Sequence, residues 1–517
     1  MKKSILASSI AAAVFGLGAT GVAQAAVNGL EGGHVLFVPY YSAQEANNTL
    51  LSLVNTDTAN GKAVKVRFRG AANSDDVFDF QVFMSPGDVW TANISKGANG
   101  AAQLTTTDSS CTKPAASVLN STPFLTNRLD QALTGDALMN GTREGYVEIL
   151  NMADIPKPSG NGVGQAGPAT SSTNLDNALY TAVKHVKDAN GKSVAPCTGT
   201  AWTALDRTAP VIDDATGKPL GMTAPTGGLM ANWTIINTVG AAAWSGSAQT
   251  LSLAELTTKV TYFPQTAATV ANIGNFTADP LLIDTAKRVD VANGGTALLT
   301  ASPIAAVTAG SYDLPDLSTP LTTDAALQTP AAQAAAYSAA LSRTSIRNEF
   351  LTDSAIGATT DWVFSMPTRR YAVAMAYNKI SATDDGRRYN DANNSQFNLS
   401  TTGLVNKQIC VKGVSVTPFD REENSPTSST EVVISPSTPT AGDLFCGEAS
   451  VLSFNNGTMT TSGALKASVA VKNVEVGYNA GWAKITLPTT GLPVMGASFV
   501  RAMGNGTQTF GATYAHR

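Results

Sequence analysis

The sequence predicts a mainly β protein built of antiparallel, sandwich-like units with one short α-helical insertion. Three observations lead there. Apolar residues alternate with polar ones over short runs, the runs are punctuated by Gly, Asn and Pro, and helical periodicity is confined to one Ala-rich stretch.

The clearest pair of strands lies near the start. In KAVKVRFR (62–69), Val64, Val66 and Phe68 share one face while Lys65, Arg67 and Arg69 share the other. VFDFQVF (77–83) alternates in the same way. Folding one run back on the other sets Phe68 opposite Phe78, Val66 opposite Phe80 and Val64 opposite Val82. Arg67 then meets Asp79 on the face expected to be wet. SPGD (85–88) is a tight turn that leads into a strand from Val89. Further strands are expected at 34–41, 50–54, 145–151, 233–238, 362–366, 408–416, 431–434, 449–454, 467–476 and 481–487. Asn60-Gly61, Asn190-Gly191 and Thr216-Gly217 read as reversals between strands. Pro330 is placed to start the main helix within the Ala-rich 323–343 stretch, and 176–186 can form a second, shorter helix.

The organisation follows. Residues 1–25 form a signal peptide: Lys2 and Lys3, an apolar run over 5–17, then Ala23-Gln24-Ala25 as cleavage site. No cysteine stands there to carry a lipid. Residues 26–265 make an N-terminal sandwich-like region with a flexible insertion at 156–231. An irregular and helical connection covers 266–357, and a C-terminal sandwich-like region covers 358–517. One intertwined β unit is the competing arrangement. The address is exported, at the cell surface or extracellular, with the periplasm as alternative. The mature chain carries no apolar stretch for a transmembrane helix, and its strands are too short and irregular for an outer-membrane barrel.

Charge and cysteines narrow the partners. Without Lys2 and Lys3 the chain has 32 basic and 38 acidic residues, a net charge of about −6, which argues against nucleic acid. Only 14% of residues are charged, below the ~25% usual for soluble domains. Hydroxyl and amide side chains replace them, a composition suited to packing against neighbours or sugars. Cys111, Cys197, Cys410 and Cys446 allow three pairings and are expected to form Cys111–Cys197 and Cys410–Cys446 disulfides, each pair lying within one region of the chain. No close-spaced Cys or His pair supports zinc.

Several phrases taken together carry a resemblance: LFVPYYSA (36–43), LLSLVNTD (50–57), KAVKVRFRGA (62–71), VFMSPGDVWTA (82–92), EGYVEIL (144–150), TDWVFSMPTRR (360–370), DREE (420–423) and GLPVMGASF (491–499). The set resembles a group of exported proteobacterial proteins described only as cell-surface or hypothetical proteins. The resemblance implies surface location and a mainly β fold, and brings no catalytic residues. The composition is also similar to that of bacterial S-layer subunits, which typically lack enzymatic residues and often bind calcium.

No constellation in the sequence carries catalysis. Gly162 to Gly167 matches G-x-G-x-x-G, but Pro156, Pro158 and Pro168 flank it and make it a loop. Asn190-Gly191-Lys192-Ser193 lacks the upstream glycine of a phosphate loop. His34, His185 and His516 are the only histidines, and no nucleophile elbow accompanies them. Two acidic groups, Asp75, Asp76 and Asp79, and Asp420, Glu422 and Glu423, are the candidate calcium ligands. The competing reading pairs them with Arg67, Lys65 and Arg421. Trp90, Trp233, Trp362 and Trp482 read as core, while Trp202 and Trp244 are candidate stacking platforms for sugar. No cofactor is expected, calcium aside. The expected function is a structural or interaction protein of the cell surface, a surface-layer component in its most specific form, binding its own copies or cell-envelope polysaccharide without catalysis. A carbohydrate-binding module or adhesin is the alternative, and an exported hydrolase comes third.

Overall fold

The computed structural model describes residues 25–28, 33–158, 175–207, 211, 214–253, 259–265, 289–290, 297–298, 330–377, 380–382, 385–389, 395–422, 445–454, 461–503 and 509–517. The rest of the signal segment, the Gly162–Gly167 motif, the strand expected at 431–434 and Glu423 lie outside the described residues.

The fold is mainly β, with multiple antiparallel sheets and few short helices. In the first half a seven-stranded sheet runs in the order Ala25–Asn28, Gln249–Leu253, Val35–Ser42, Glu144–Pro156, Asn60–Gly70, Asp76–Met84, Cys111–Lys113. The expected pairing is present in register: Val64 with Val82, Val66 with Phe80, Arg67 with Asp79 and Phe68 with Phe78. A five-stranded sheet, Ala242–Ser247, Leu229–Asn237, Asn47–Asn55, Val89–Lys96, Ala102–Thr105, covers the apolar face of this ladder. Its inward residues Leu51, Leu53, Trp90, Ile94 and Trp233 meet Val64, Val66, Phe80 and Val82 in one core.

The opposite face of the seven-stranded sheet is not wet. Lys65, Arg67 and Arg69 are fully buried. Their charges are met by carboxylates rather than water. Lys65 Nζ lies 2.6 Å from Asp79 and donates to Gln265 at 2.9 Å, so the segment around 259–265 lies across the face. Arg69 Nε reaches Glu148 at 3.5 Å. Alternation reports that two faces differ, and a second layer made of polar partners gives the same pattern as water does.

Two of the three expected reversals lie elsewhere than their Asn-Gly or Thr-Gly pair suggests. Asn60-Gly61 opens the Asn60–Gly70 strand, because Asp57 Oδ1 accepts the N–H groups of Ala59 (2.7 Å) and Asn60 (3.0 Å) and closes the turn upstream. Thr216-Gly217 ends a helical turn, Asp214–Gly217. Asn190-Gly191 does sit between the paired strands Val186–Lys187 and Ser193–Val194, with Gly191 at φ 76°. The shorter helix spans Leu175–Val183, and the main one spans Pro330–Leu341 with the proline as its first residue. The segment expected as a flexible insertion carries packed core: Leu179, Val183, Leu205, Leu220 and Met222 cluster with Met152 and Ile155.

In the second half a five-stranded sheet runs in the order Val471–Val474, Ala449–Phe454, Thr359–Ser365, Met495–Met503, Thr509–Ala515, and its strands Ala449–Phe454 and Thr359–Ser365 are buried on both faces. Val363, Val451 and Phe499 enter the core shared with the first half, whereas Trp362, Phe364 and Phe454 face a second core. Ile346, Phe350, Ala483 and Ile485 supply the other side of that second core. They come from a three-stranded sheet, Ser345–Leu351, Ala480–Thr486, Ser415–Phe419. The two halves touch closely where Gly511 lies against Ala243, whose carbonyl oxygen would stand 2.1 Å from a Cβ at that position. Both expected disulfides are present. Cys111–Cys197 ties the seven-stranded sheet to the segment after the 186–194 hairpin, and Cys410–Cys446 joins two register partners.

Candidate functional site

The first group singled out for calcium is engaged by protein partners. Asp75 is buried and accepts the Tyr377 hydroxyl at 3.1 Å. Burial pushes its carboxyl up to about 7, against the pull of that hydrogen bond and of Arg69 and Arg128. Asp76 is buried with Oδ2 3.6 Å from Arg67 Nε. Asp79 accepts from Lys65 and from Gln265 Nε2, each at 2.6 Å. Asp75 and Asp76 are therefore out of reach of a neighbouring subunit. Asp420 turns back to accept the Glu422 N–H at 2.9 Å, and the Glu422 side chain is exposed. Among the described residues no group of three or more His, Cys, Asp or Glu gathers as a metal site would require.

Ser85, His185 and Asp88 do meet, in the turn that the SPGD sequence makes. Ser85 Oγ is 3.2 Å from His185 Nδ1, and Asp88 Oδ2 is 3.6 Å from the same nitrogen. A hydrolytic triad places the serine on one ring nitrogen and the carboxylate on the other, so that a proton taken from one side is balanced from the other. Here both face Nδ1, and Asp88 also holds the Ser85 N–H at 3.0 Å and Ser110 Oγ at 3.2 Å. The cluster closes a turn. His34 and His516 are neutral near pH 7. Burial, assisted by Lys62, lowers His34 to about 4, and burial lowers His516 to about 3.

The tryptophans exchange roles. Trp244 is 1% exposed and donates Nε1 to the Val500 carbonyl at 2.8 Å, which makes it core. Trp202 is half-buried, edge-on to Phe83, with Lys113 Nζ 4.2 Å above its ring. Trp244 offers no face to a sugar, and the Lys113 ammonium occupies one face of Trp202. Trp482, expected in the core, is 37% exposed. Nothing in its local sequence separates it from the buried Trp362, because which face of a strand is covered depends on distant chain.

The outer face of the first-half five-stranded sheet is open to solvent at Met230, Asn232, Leu50, Val89 and Thr91. The register draws two rows of side chains across it. One is Ser245, Thr234, Leu50, Asn93, Thr105, and the next is Ser247, Asn232, Ser52, Thr91. Neither row holds an ionisable group. A third row, Met230, Val54, Val89, is apolar, with Met230 and Val89 exposed. A depression of about 410 Å3 lies over Ser52, Thr91, Asn93, Asn232 and Thr234. The period-2 alternation builds this face: inward Leu51, Trp90 and Trp233 are followed by outward Ser52, Thr91 and Thr234, and inward Leu53 by Val54 of the apolar row.

No family of known proteins, no curated protein and no solved structure matches the chain. Among the described residues no helix is long and apolar enough to cross a membrane.

Proposed function

We propose that this chain is an exported structural or interaction protein of the cell surface, acting as a layer-forming subunit without catalysis. The observation that carries the proposal is the uncharged hydroxyl-and-amide face of the five-stranded sheet. A face with Thr, Ser and Asn in register rows can be brought against another copy without desolvating a charge, which is the main penalty in burying polar surface. The apolar row of Met230, Val54 and Val89 adds a hydrophobic margin to the same face. The low charge of the whole chain, the two disulfides and the resemblance to exported cell-surface proteins support the same reading.

The test is fractionation of the producing cells and electron microscopy of their surface, with sedimentation of the purified protein. The protein is expected in the surface fraction and as a concentration-dependent assembly. Replacing Thr91 and Asn232 together by Lys puts like charges in one row and should abolish assembly while leaving the melting temperature within about 2 °C, since both side chains are exposed. A protein that stays monomeric at all concentrations and fractionates with the soluble periplasm would overturn the layer reading.

A further inference from the structure

The three-stranded sheet of the second half presents an aromatic platform to solvent. Its register sets Glu349, Trp482 and Phe419 side by side in one row, and Arg347, Lys484 and Thr417 in the next. Between them Ala483 and Ile485 point the other way into the core, so the sheet is anchored and its outer side chains have a rigid base. Trp482 and Phe419 stack with centroids 4.2 Å apart and planes 10° from parallel. The stack holds the exposed indole in one orientation, which lowers the entropy lost when a ligand settles on it. Beside the row lies a cavity of about 290 Å3 lined by Glu349, Leu351, Arg421, Gly481, Val500 and Tyr514. Tyr514 is itself exposed.

We infer that this platform is a saccharide-binding site for a neutral β-linked pyranose chain of glucose or N-acetylglucosamine type. The inference deepens the cell-surface reading and rests on it, because it names envelope polysaccharide as the partner of the exported chain. The argument is chemical. A pyranose whose substituents are all equatorial shows an axial C–H face, and that face can stack on the ring of an exposed indole that Phe419 holds in place. The rim must then hydrogen-bond hydroxyls: the Glu349 carboxylate accepts, the Arg421 and Arg347 guanidinium groups donate, and the Tyr514 hydroxyl does either. Acidic and basic groups are mixed around the stack, so no single sign of charge selects an ionic ligand. A concave pocket with a few convergent polar groups beside an aromatic wall is the usual form of such a site.

The test is calorimetric and fluorescence titration of the full mature protein with cellotetraose and with chitotetraose. At least one is expected to bind and to quench or blue-shift tryptophan emission. Trp482→Ala should weaken that binding at least about tenfold, as expected of a central aromatic anchor, and should also lower the melting temperature because the stack on Phe419 is lost. Trp482→Phe should recover part of it, and Glu349→Gln should weaken it severalfold. If neither oligosaccharide binds, or if Trp482→Ala binds as tightly as the parent, the inference is wrong. Binding is read on dilute monomer, whereas the layer reading is judged by sedimentation and microscopy. Failure of one is therefore distinguishable from failure of the other.

Discussion

Glu148 and Arg370 stand 222 positions apart in the chain and meet at 3.0 Å in the protein interior, both fully buried. The guanidinium reaches both carboxylate oxygens of Glu148. Arg69 approaches the same carboxylate at 3.5 Å and Arg67 at 4.0 Å. Burial alone would raise the Glu148 carboxyl, but Arg370, Arg69 and Arg67 outweigh it and hold the group below its usual range. The pair belongs to a polar stretch of the seam between the halves, which elsewhere is apolar. Ser468 and Val469 donate their N–H groups to Glu144 at 2.8 and 2.7 Å, and Asn73 donates to the Lys407 carbonyl at 2.7 Å.

Removing the acid should therefore hurt more than removing one base. Glu148→Gln leaves three buried guanidinium groups facing one another, and a loss of about 3–5 kcal/mol is expected in urea unfolding. Arg370→Met leaves Glu148 with Arg69 and Arg67 and should cost less. Equal costs for the two variants would show that the three arginines do not share this carboxylate.

Asp75 gives a pH signature. Its folded pKa, about 7, lies above its ordinary value of 3.8, so between those limits the folded state binds the proton more tightly than the unfolded chain. The stabilisation from this group is fully present below about pH 4 and is lost as pH rises through about 7. Asp75→Asn, which keeps the shape without the charge, should then be more stable than the parent at pH 8 and lose that advantage at pH 4. Thermal melts of the two proteins across pH 4–8 would show it; parallel curves would refute it.

Trp244→Ala should behave as a core deletion. The ring is buried against the second half and its N–H is satisfied by Val500. A loss of about 3–5 kcal/mol in unfolding free energy is expected. A variant of full stability would contradict the placement of this side chain.

The two disulfides should contribute unequally. The cysteines of one are 86 residues apart and those of the other 36. On the chain-entropy model the larger loop stabilises by about 4–5 kcal/mol and the smaller by about 4 kcal/mol. Paired Cys→Ser variants compared in urea give both values, and non-reducing peptide mapping checks the pairing itself.

Much of the local architecture was legible in the sequence because its causes are local. Val64, Val66 and Phe68 against Phe78, Phe80 and Val82 fixed a register by matching apolar periods, and Pro330 marked a helix start because it lacks an N–H that the first turn does not use. The even cysteine count, in a chain read as exported, led to disulfides, and pairing cysteines within one region of the chain led to the two bonds that the fold contains. What covers each face was decided only by tertiary structure. Lys65 and Arg67 look like solvent-facing residues until Glu148, Asp79 and the 259–265 segment are brought over them. Trp244 and Trp482 both lie in short alternating strands, yet one is sealed by Val500 and the other opens to solvent beside Phe419. The alternation of a strand specifies that its two sides differ. Which side meets water, charge or a neighbouring sheet depends on residues hundreds of positions away, and on the free energy of bringing them together.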